Sequence, residues 1–294
     1  NSMDPHSLNE SLQLSFTGNV YEPLIGRDKK LGLAPALATK WGQTSPTEWF
    51  FDLRQGVKFS DGTPFTAADV KFTFDQILDL KSGSRLRSDF AAVDGVDVDD
   101  SLTVTFRLKA PFAPFLILLG YNAGILPKHL LQGAPLADAT DFNRKHPVGT
   151  GPFMVQDVSP GASITLVRNP RYYGTPPRLD RIVFKVVPDV NAQVAQLRAG
   201  ELDLITIEPA NLASVQGVPG VEVQQVPVVQ HYYVGLNVAR AHFRSPAVRR
   251  ALAMAINREA IIKGVLRGYG DPAVGTIPVA LRDFGADSLL PIPY

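Results

Sequence analysis

Hydrophobic positions along this chain recur with two different periods, and the changes of period mark out its elements. From Glu48 to Arg54, Trp49, Phe51 and Leu53 alternate with Phe50 and Asp52, the pattern of a strand with one buried face. A turn at Asp61-Gly62-Thr63-Pro64 follows. Thr66-Ala67-Ala68-Asp69 reads as a capping box with Asp in place of Glu. Val70, Phe74, Ile77 and Leu78 then share one face of a helix ending near Gly83. Val96–Asp100 and Leu102–Leu108 read as strands about a polar turn at Ser101. Leu108–Leu119 is apolar but broken by Pro111 and Pro114, which predicts a short buried helix after a loop. Residues 1–40 mix turns with the short apolar runs Val20–Ile25 and Leu31–Leu37.

A Gly/Pro break at Pro147–Pro152 marks a chain crossover, and strands are expected at Ser163–Arg168 and Arg181–Val187. Asp189 caps a helix with Val190, Val194 and Leu197 inward, closed by Gly200. Leu202–Ile207 is expected as a short buried strand. Strand, helix and strand would then form a right-handed parallel crossover, the signature of an α/β fold. Further strands are expected at Val221–Val229 and Tyr232–Asn237. Ser245-Pro246 places an N-cap before Pro at the first helical position, with Val248, Leu252, Ala255 and Ile256 as the buried stripe. Asn257 opens another helix, carrying Ile261, Ile262 and Val265. No internal repeat is present.

Composition narrows the function. A chain of 294 residues is long enough for about two domains. Its net charge of +1 lacks the concentrated basic face that nucleic acid demands. The absence of Cys excludes disulfides, thiolate metal sites and Cys nucleophiles. No run of about 18 apolar residues occurs, so no segment reads as a membrane span. Asn1 opens directly on polar sequence, without a signal peptide. If the protein is exported, the expectation is a processed form.

Enzyme motifs are not found. Gly149-Thr150-Gly151-Pro152 lacks the third glycine of a dinucleotide loop and has Pro where a helix should open, so it reads as a turn. Neither a Walker loop nor a Gly-x-Ser-x-Gly elbow occurs. His6, His129, His146, His231 and His242 are widely separated, with no pair at metal-ligand spacing. The acidic run Val96-Asp97-Val98-Asp99-Asp100 reads better as a hairpin tip than as an acid/base pair. Arg240, His242, Arg244, Arg249 and Arg250 form the one basic concentration. It reads as a solvated helix start, a contact between domains or a site for an acidic ligand. Nothing in these residues supports covalent or acid–base catalysis, and no catalytic residue, metal or cofactor is expected.

Six stretches, in order, carry a resemblance. The first is Asp4-Pro5-His6 with Tyr21-Glu22-Pro23-Leu24, and the second is Leu33–Ala38 with Trp41. The third and most specific runs from Phe51 to Val70 through Gly56-Val57-Lys58-Phe59-Ser60-Asp61-Gly62-Thr63-Pro64. The fourth is Pro147–Phe153. Asn169-Pro170-Arg171-Tyr172-Tyr173 with Leu202-Asp203-Leu204 makes the fifth. Gly235-Leu236-Asn237, Val248–Leu252 and Ala255–Arg258 make the sixth. Together the chain resembles the family 5 extracellular solute-binding proteins of ABC importers, which bind oligopeptides, dipeptides, nickel or glutathione.

That resemblance implies an α/β fold of the type II periplasmic-binding-protein kind. Lobe one, with a mixed sheet, would be discontinuous over residues 1–40 and 147–237. An α+β domain would be inserted over 41–146, and a second lobe would begin at 238–294. Family chains run on past a Pro-Tyr like Pro293-Tyr294, so the chain is expected to be truncated and its last segment to pack incompletely. The family closes over its ligand at a hinge. Matching to the family puts three segments near that ligand. Asn9, Glu10 and Ser11 fall where peptide binders lay extended backbone along it; Glu10 would meet a ligand amine or remain solvated. Tyr121 and Asn122 follow an apolar run, as a contact or as a turn with a packed ring. Tyr233 and Asn237 lie on a hinge strand, where alternation allows only one of Tyr232 and Tyr233 into the cleft.

The implied partners are a small peptide or peptide-like solute and the permease subunits of an ABC importer. Membrane contact would come only through that permease or a lost anchor. The implied state is a monomer, located in the periplasm or outside the cell after signal-peptide removal. A nickel or haem chelate binder remains an alternative, as does a hydrolase whose active site lies beyond Tyr294.

Overall fold

The structure, a computed structural model, describes residues 3–6, 11–29, 32–121, 123–133, 140–226, 232–275 and 292–294. The chain divides into two compact units, Asn1–Val186 and Val187–Tyr294. In the first unit, helix α1 (Ser11–Val20) leads into a short antiparallel ribbon of β1 (Ile25–Arg27) and β2 (Leu33–Pro35). Strands β3 (Ala38–Ser45) and β4 (Glu48–Leu53) form a hairpin. The Lys58–Pro64 turn then delivers the chain to helix α2 (Ala67–Leu78). Strands β5 (Val93–Asp100) and β6 (Thr103–Leu108) complete a four-stranded antiparallel sheet in the order β3-β4-β6-β5.

Alternation works as expected in β4: Phe51 and Leu53 are buried, while Phe50 and Asp52 face the other side. Helix α2 presents Val70, Phe74 and Ile77 to the sheet, all fully buried. The core is aromatic. Phe74 meets Phe106 edge-on at 4.7 Å between ring centres, and Phe106 meets Phe51 at 5.2 Å. The Asp69 carboxylate serves the starts of two helices, α2 and the one that opens at Lys128. One oxygen accepts from the Thr66 amide at 2.9 Å, and the other accepts from Lys128 N at 3.0 Å.

Three short helices follow: α3 (Phe115–Leu119), α4 (Lys128–Leu131) and α5 (Thr140–Arg144). A three-stranded antiparallel sheet of β7 (Phe153–Ser159), β8 (Ser163–Arg168) and β9 (Arg181–Lys185) closes the unit. It packs on α1, with Phe16 against Phe184 at 6.1 Å.

The second unit has helices α6 (Val190–Arg198), α7 (Ala241–Arg244), α8 (Pro246–Met254) and α9 (Arg258–Gly264). The caps predicted at Asp189 and Asn257 form, and Ser245 holds the N-cap position of α8 without a side-chain hydrogen bond. Asp189 accepts from Ala192 N at 2.8 Å, Pro246 opens α8, and Asn257 accepts from Ala260 N at 2.8 Å. The basic concentration has a local use: the Arg249 guanidinium donates to the carbonyls of Phe243 and Arg244 at 2.7 and 2.8 Å, closing α7.

Strand expectations fail in this unit. Leu202–Ile207, residues 221–226 and residues 232–237 are irregular, and residues 227–229 lie outside the described ones. Every ladder among the described residues is antiparallel, so the parallel crossover expected at residues 181–207 is not formed among them. A parallel strand persists where both its faces are covered. Here Leu204 is 88% exposed, and the flanking segments line an open cavity of about 2530 Å³. Helices α8 and α9 bury no residue fully, and Leu252 and Ile261 stand 41% and 45% exposed, as expected for an incompletely packed segment.

Candidate functional site

Parts of the first, third, fourth and fifth of these stretches meet at one junction in the first unit. Gly149 and Gly151 lie against the end of α1 so closely that a Cβ on either would stand 2.0 Å from the Val20 carbonyl oxygen and 2.5 Å from that of Asn19, respectively. Gly151 N donates to the Val20 carbonyl at 2.9 Å, and the Asn169 side chain donates to Gly151 O at 2.8 Å. Ser60 N, from the third stretch, donates to Gly149 O at 2.9 Å. These residues hold chain to chain and carry no chemistry.

Two buried acid clusters sit in the same junction. The Glu22 carboxylate accepts hydrogen bonds from Tyr173 at 2.9 Å and Tyr172 at 3.3 Å, both on Oε1. Arg54 stacks over the Tyr173 ring with its guanidinium carbon 4.9 Å from the centre. Burial pushes the Glu22 carboxyl above its usual range, opposed mainly by the Tyr173 hydrogen bond. Burial and the Glu22 charge push the Tyr172 phenol up to about 12, and the Tyr173 phenol is raised too. Asp4 and His6 form the second cluster. Asp4 Oδ1 accepts from the His6 amide at 2.8 Å, and the His6 ring donates from Nε2 to the Gly124 carbonyl at 2.9 Å. Burial drives the Asp4 carboxyl up to about 6 and the His6 imidazole down to about 4, so the ring is neutral at pH 7. Tyr21, also buried, is held protonated by burial and the nearby Asp4 charge.

The expected ligand residues are scattered among these elements. Asn9, Glu10 and Asn122 lie outside the described residues, and Ser11 opens α1 instead of lying in extended backbone. Tyr121, just past α3, is 56% exposed, beside the half-buried Arg27. Tyr232 and Tyr233 are 75% and 78% exposed and both line the open cavity, with Val234 and Leu236. The alternation that would set them on opposite faces requires a strand, and the segment is not one. Asn237 turns inward on its own backbone, accepting from Ala239 N at 3.0 Å. Sequence reasoning missed Arg27 altogether. Its signal, a long cation after an Ile-Gly pair, has no meaning until β1 is placed beside α3.

Among the described residues no three His, Cys, Asp or Glu side chains gather as a metal site, and no helix is long and apolar enough to cross a membrane. A family model for bacterial extracellular solute-binding proteins, family 5 Middle, matches residues 32–288. The chain belongs to this family. Three family members show how far the likeness extends. The oligopeptide-binding protein AppA of Bacillus subtilis is 32% identical over 257 residues, covering 86% of this chain and 47% of that protein. Its solved structure in complex with a nonapeptide matches with a TM-score of 0.90 at 28% identity, over 100% of this chain and 59% of that one. The glutathione-binding protein GsiB of Escherichia coli O157:H7 is 31% identical over 297 residues, covering 100% of this chain and 57% of that protein. The structure of NikA from Brucella suis in complex with Fe(III)-EDTA matches with a TM-score of 0.85 at 26% identity, over 99% of this chain and 59% of that one. The chain thus spans about half the length of the curated relatives it matches. It shares the α/β fold of these family 5 binding proteins, whose family is one of extracellular solute binders and not of enzymes.

Proposed function

We propose that this chain belongs to an extracytoplasmic receptor that binds a peptide-like solute and delivers it to the permease of an ABC importer. The observation that carries this reading is the near-complete match to a binding protein solved around a nonapeptide, at a TM-score of 0.90. The glutathione-binding relative, itself a binder of a peptide-like thiol, supports the same class. In this reading residues 1–40 and 147–237 form lobe one, 41–146 an inserted domain, and 238–294 the start of a second lobe. Ligand would lie against Asn9, Glu10, Ser11, Tyr121, Asn122, Tyr233 and Asn237, and hinge closure would enclose it. The receptor works as a monomer in the periplasm or on the outer cell surface, reaching the membrane through its permease or an anchor.

A second reading within the family is a metal-chelate receptor, favoured by the match to NikA with Fe(III)-EDTA. One experiment separates the two. The protein is screened by thermal shift against tri-alanine, a nonapeptide pool, reduced glutathione, nickel–histidine and Fe(III)-EDTA. A rise in Tm with the peptides or glutathione alone supports the first reading, and a rise with the chelates alone supports the second. Turnover of any of these peptides, seen as cleavage by mass spectrometry, would overturn both.

A further inference from the structure

Helix α3 is only five residues long, and at its end Gly120 N and Tyr121 N donate to the Leu116 and Leu118 carbonyls, at 3.2 Å each. Arg27, at the end of β1, serves two further carbonyls of the same turn. Its Nη2 donates to the Ile117 carbonyl at 3.0 Å, and its Nε reaches the Gly120 carbonyl at 3.4 Å. A cation is also electrostatically favoured at that end of a helix. The same guanidinium lies over the Tyr121 ring, with its central carbon 6.0 Å from the ring centre. The backbone enforces the approach: a Cβ on Gly120 would stand 3.2 Å from the Ile25 carbonyl oxygen. One planar side chain thus touches three successive parts of the turn, while Tyr121 remains 56% exposed beside an Ile117 that is 46% exposed.

We propose that Arg27 is a positioning residue, which fixes the Tyr121 ring in the orientation against which the solute packs. This rests on the reading above that Tyr121 touches ligand. Arg27 itself contributes through that ring. Its two hydrogen bonds go to the Ile117 and Gly120 carbonyls and its guanidinium lies over the Tyr121 ring, so the exposed surface offered to a ligand is aromatic. A lysine keeps the charge but has neither the fork that reaches two carbonyls at once nor a face to stack. The proposal therefore predicts that Arg27→Lys behaves like Arg27→Met.

The test has a spectroscopic arm and a binding arm, both on the full chain. The protein is labelled with 3-fluorotyrosine, and the line of Tyr121 among the eight tyrosines is assigned by its loss in Tyr121→Phe. In Arg27→Lys and Arg27→Met that line is expected to move towards free fluorotyrosine and narrow, with the lines of Tyr172 and Tyr173 unchanged. Calorimetry with tri-alanine and reduced glutathione as probes is expected to show binding weakened roughly fivefold to tenfold by either substitution. Neither substitution should weaken binding further once Tyr121→Ala is present. An unmoved Tyr121 line overturns the proposal. So does an Arg27→Met loss of equal size in the wild-type and Tyr121→Ala backgrounds, and so does rescue by Arg27→Lys. A Tyr121→Ala variant that binds both probes like the wild type overturns the ligand-contact reading instead, and the fluorine line then still reports on Arg27 and the ring.

Discussion

Asp4 and His6 should make the stability of the first unit respond to pH in opposite senses, and Asp4→Asn separates the two. The Asp4 carboxyl has an ordinary value of 3.8 and is raised to about 6 by burial. Its ionised form is therefore disfavoured by folding. The penalty is complete above pH 6, shrinks as pH falls, and is gone below 3.8. His6 has an ordinary value of 6.5 and is lowered to about 4. Its penalty runs the other way, absent above pH 6.5 and complete below 4. At 1.36 kcal/mol for each unit of difference, each penalty is about 3 kcal/mol. Across pH 4 to 6 the two nearly offset, so the wild type should show little pH dependence from this pair. An amide at position 4 keeps an oxygen to accept from the His6 amide at 2.8 Å while removing the buried charge. Asp4→Asn should thus raise stability at pH 7 by about 3 kcal/mol, with the gain fading through pH 6 and vanishing near pH 4. Urea unfolding at pH 4, 5, 6 and 7, followed through Trp41 and Trp49, measures it as a midpoint difference of roughly 1 M at pH 7. Every other titrating group is common to both proteins and cancels in the difference. A gain that is constant with pH, or a loss at pH 7, would refute burial as the origin of the Asp4 shift.

Other substitutions probe the junction and the cap, each read by the same unfolding measurement. Tyr173→Phe removes a 2.9 Å hydrogen bond to the buried Glu22 carboxylate and should cost about 2 kcal/mol; a change within experimental error would mean the carboxylate is held by Tyr172 alone. Gly149→Ala forces a methyl onto the Val20 carbonyl, where a Cβ has 2.0 Å of room, and should cost about 3 kcal/mol or more. A stable Gly149→Ala protein would show that the loop can swing away from α1. Asp69→Ala deletes the α2 cap and strands the Lys128 amide, for a loss of about 2 kcal/mol. Hydrogen exchange should then quicken at Lys128 and in the first turn of α2, and unchanged exchange there would argue against the double cap.

The parts of the fold legible in the sequence are those whose partners are near in the chain. The β4 alternation, the Thr66–Asp69 box, the β5–β6 hairpin, the caps at Asp189 and Asn257 and the Pro246 start of α8 each complete themselves within a few residues, and each is found. Helix α1 has no such signal. Ser11–Val20 contains Gly18, and it is stabilised by packing Phe16 and Val20 against distant strands. The strand expected at Leu202–Ile207 fails for the converse reason. Its apolar run is real, but a strand needs covering neighbours, which a local pattern does not supply. The proposed ligand residues were legible only by likeness to the family. Arg27 lay hidden because its role comes from a neighbour ninety positions away in the chain.

The contact of Gly149 and Gly151 with the end of α1 is made by backbone on both sides. Asn19 and Val20 meet the two glycines through their carbonyl oxygens, so the fit of this joint turns on the missing Cβ at positions 149 and 151, where no substitute is admitted. For anyone grafting a new recognition surface onto this scaffold, residues 149–151 are therefore the fixed point, and the loops it anchors are where redesign should begin.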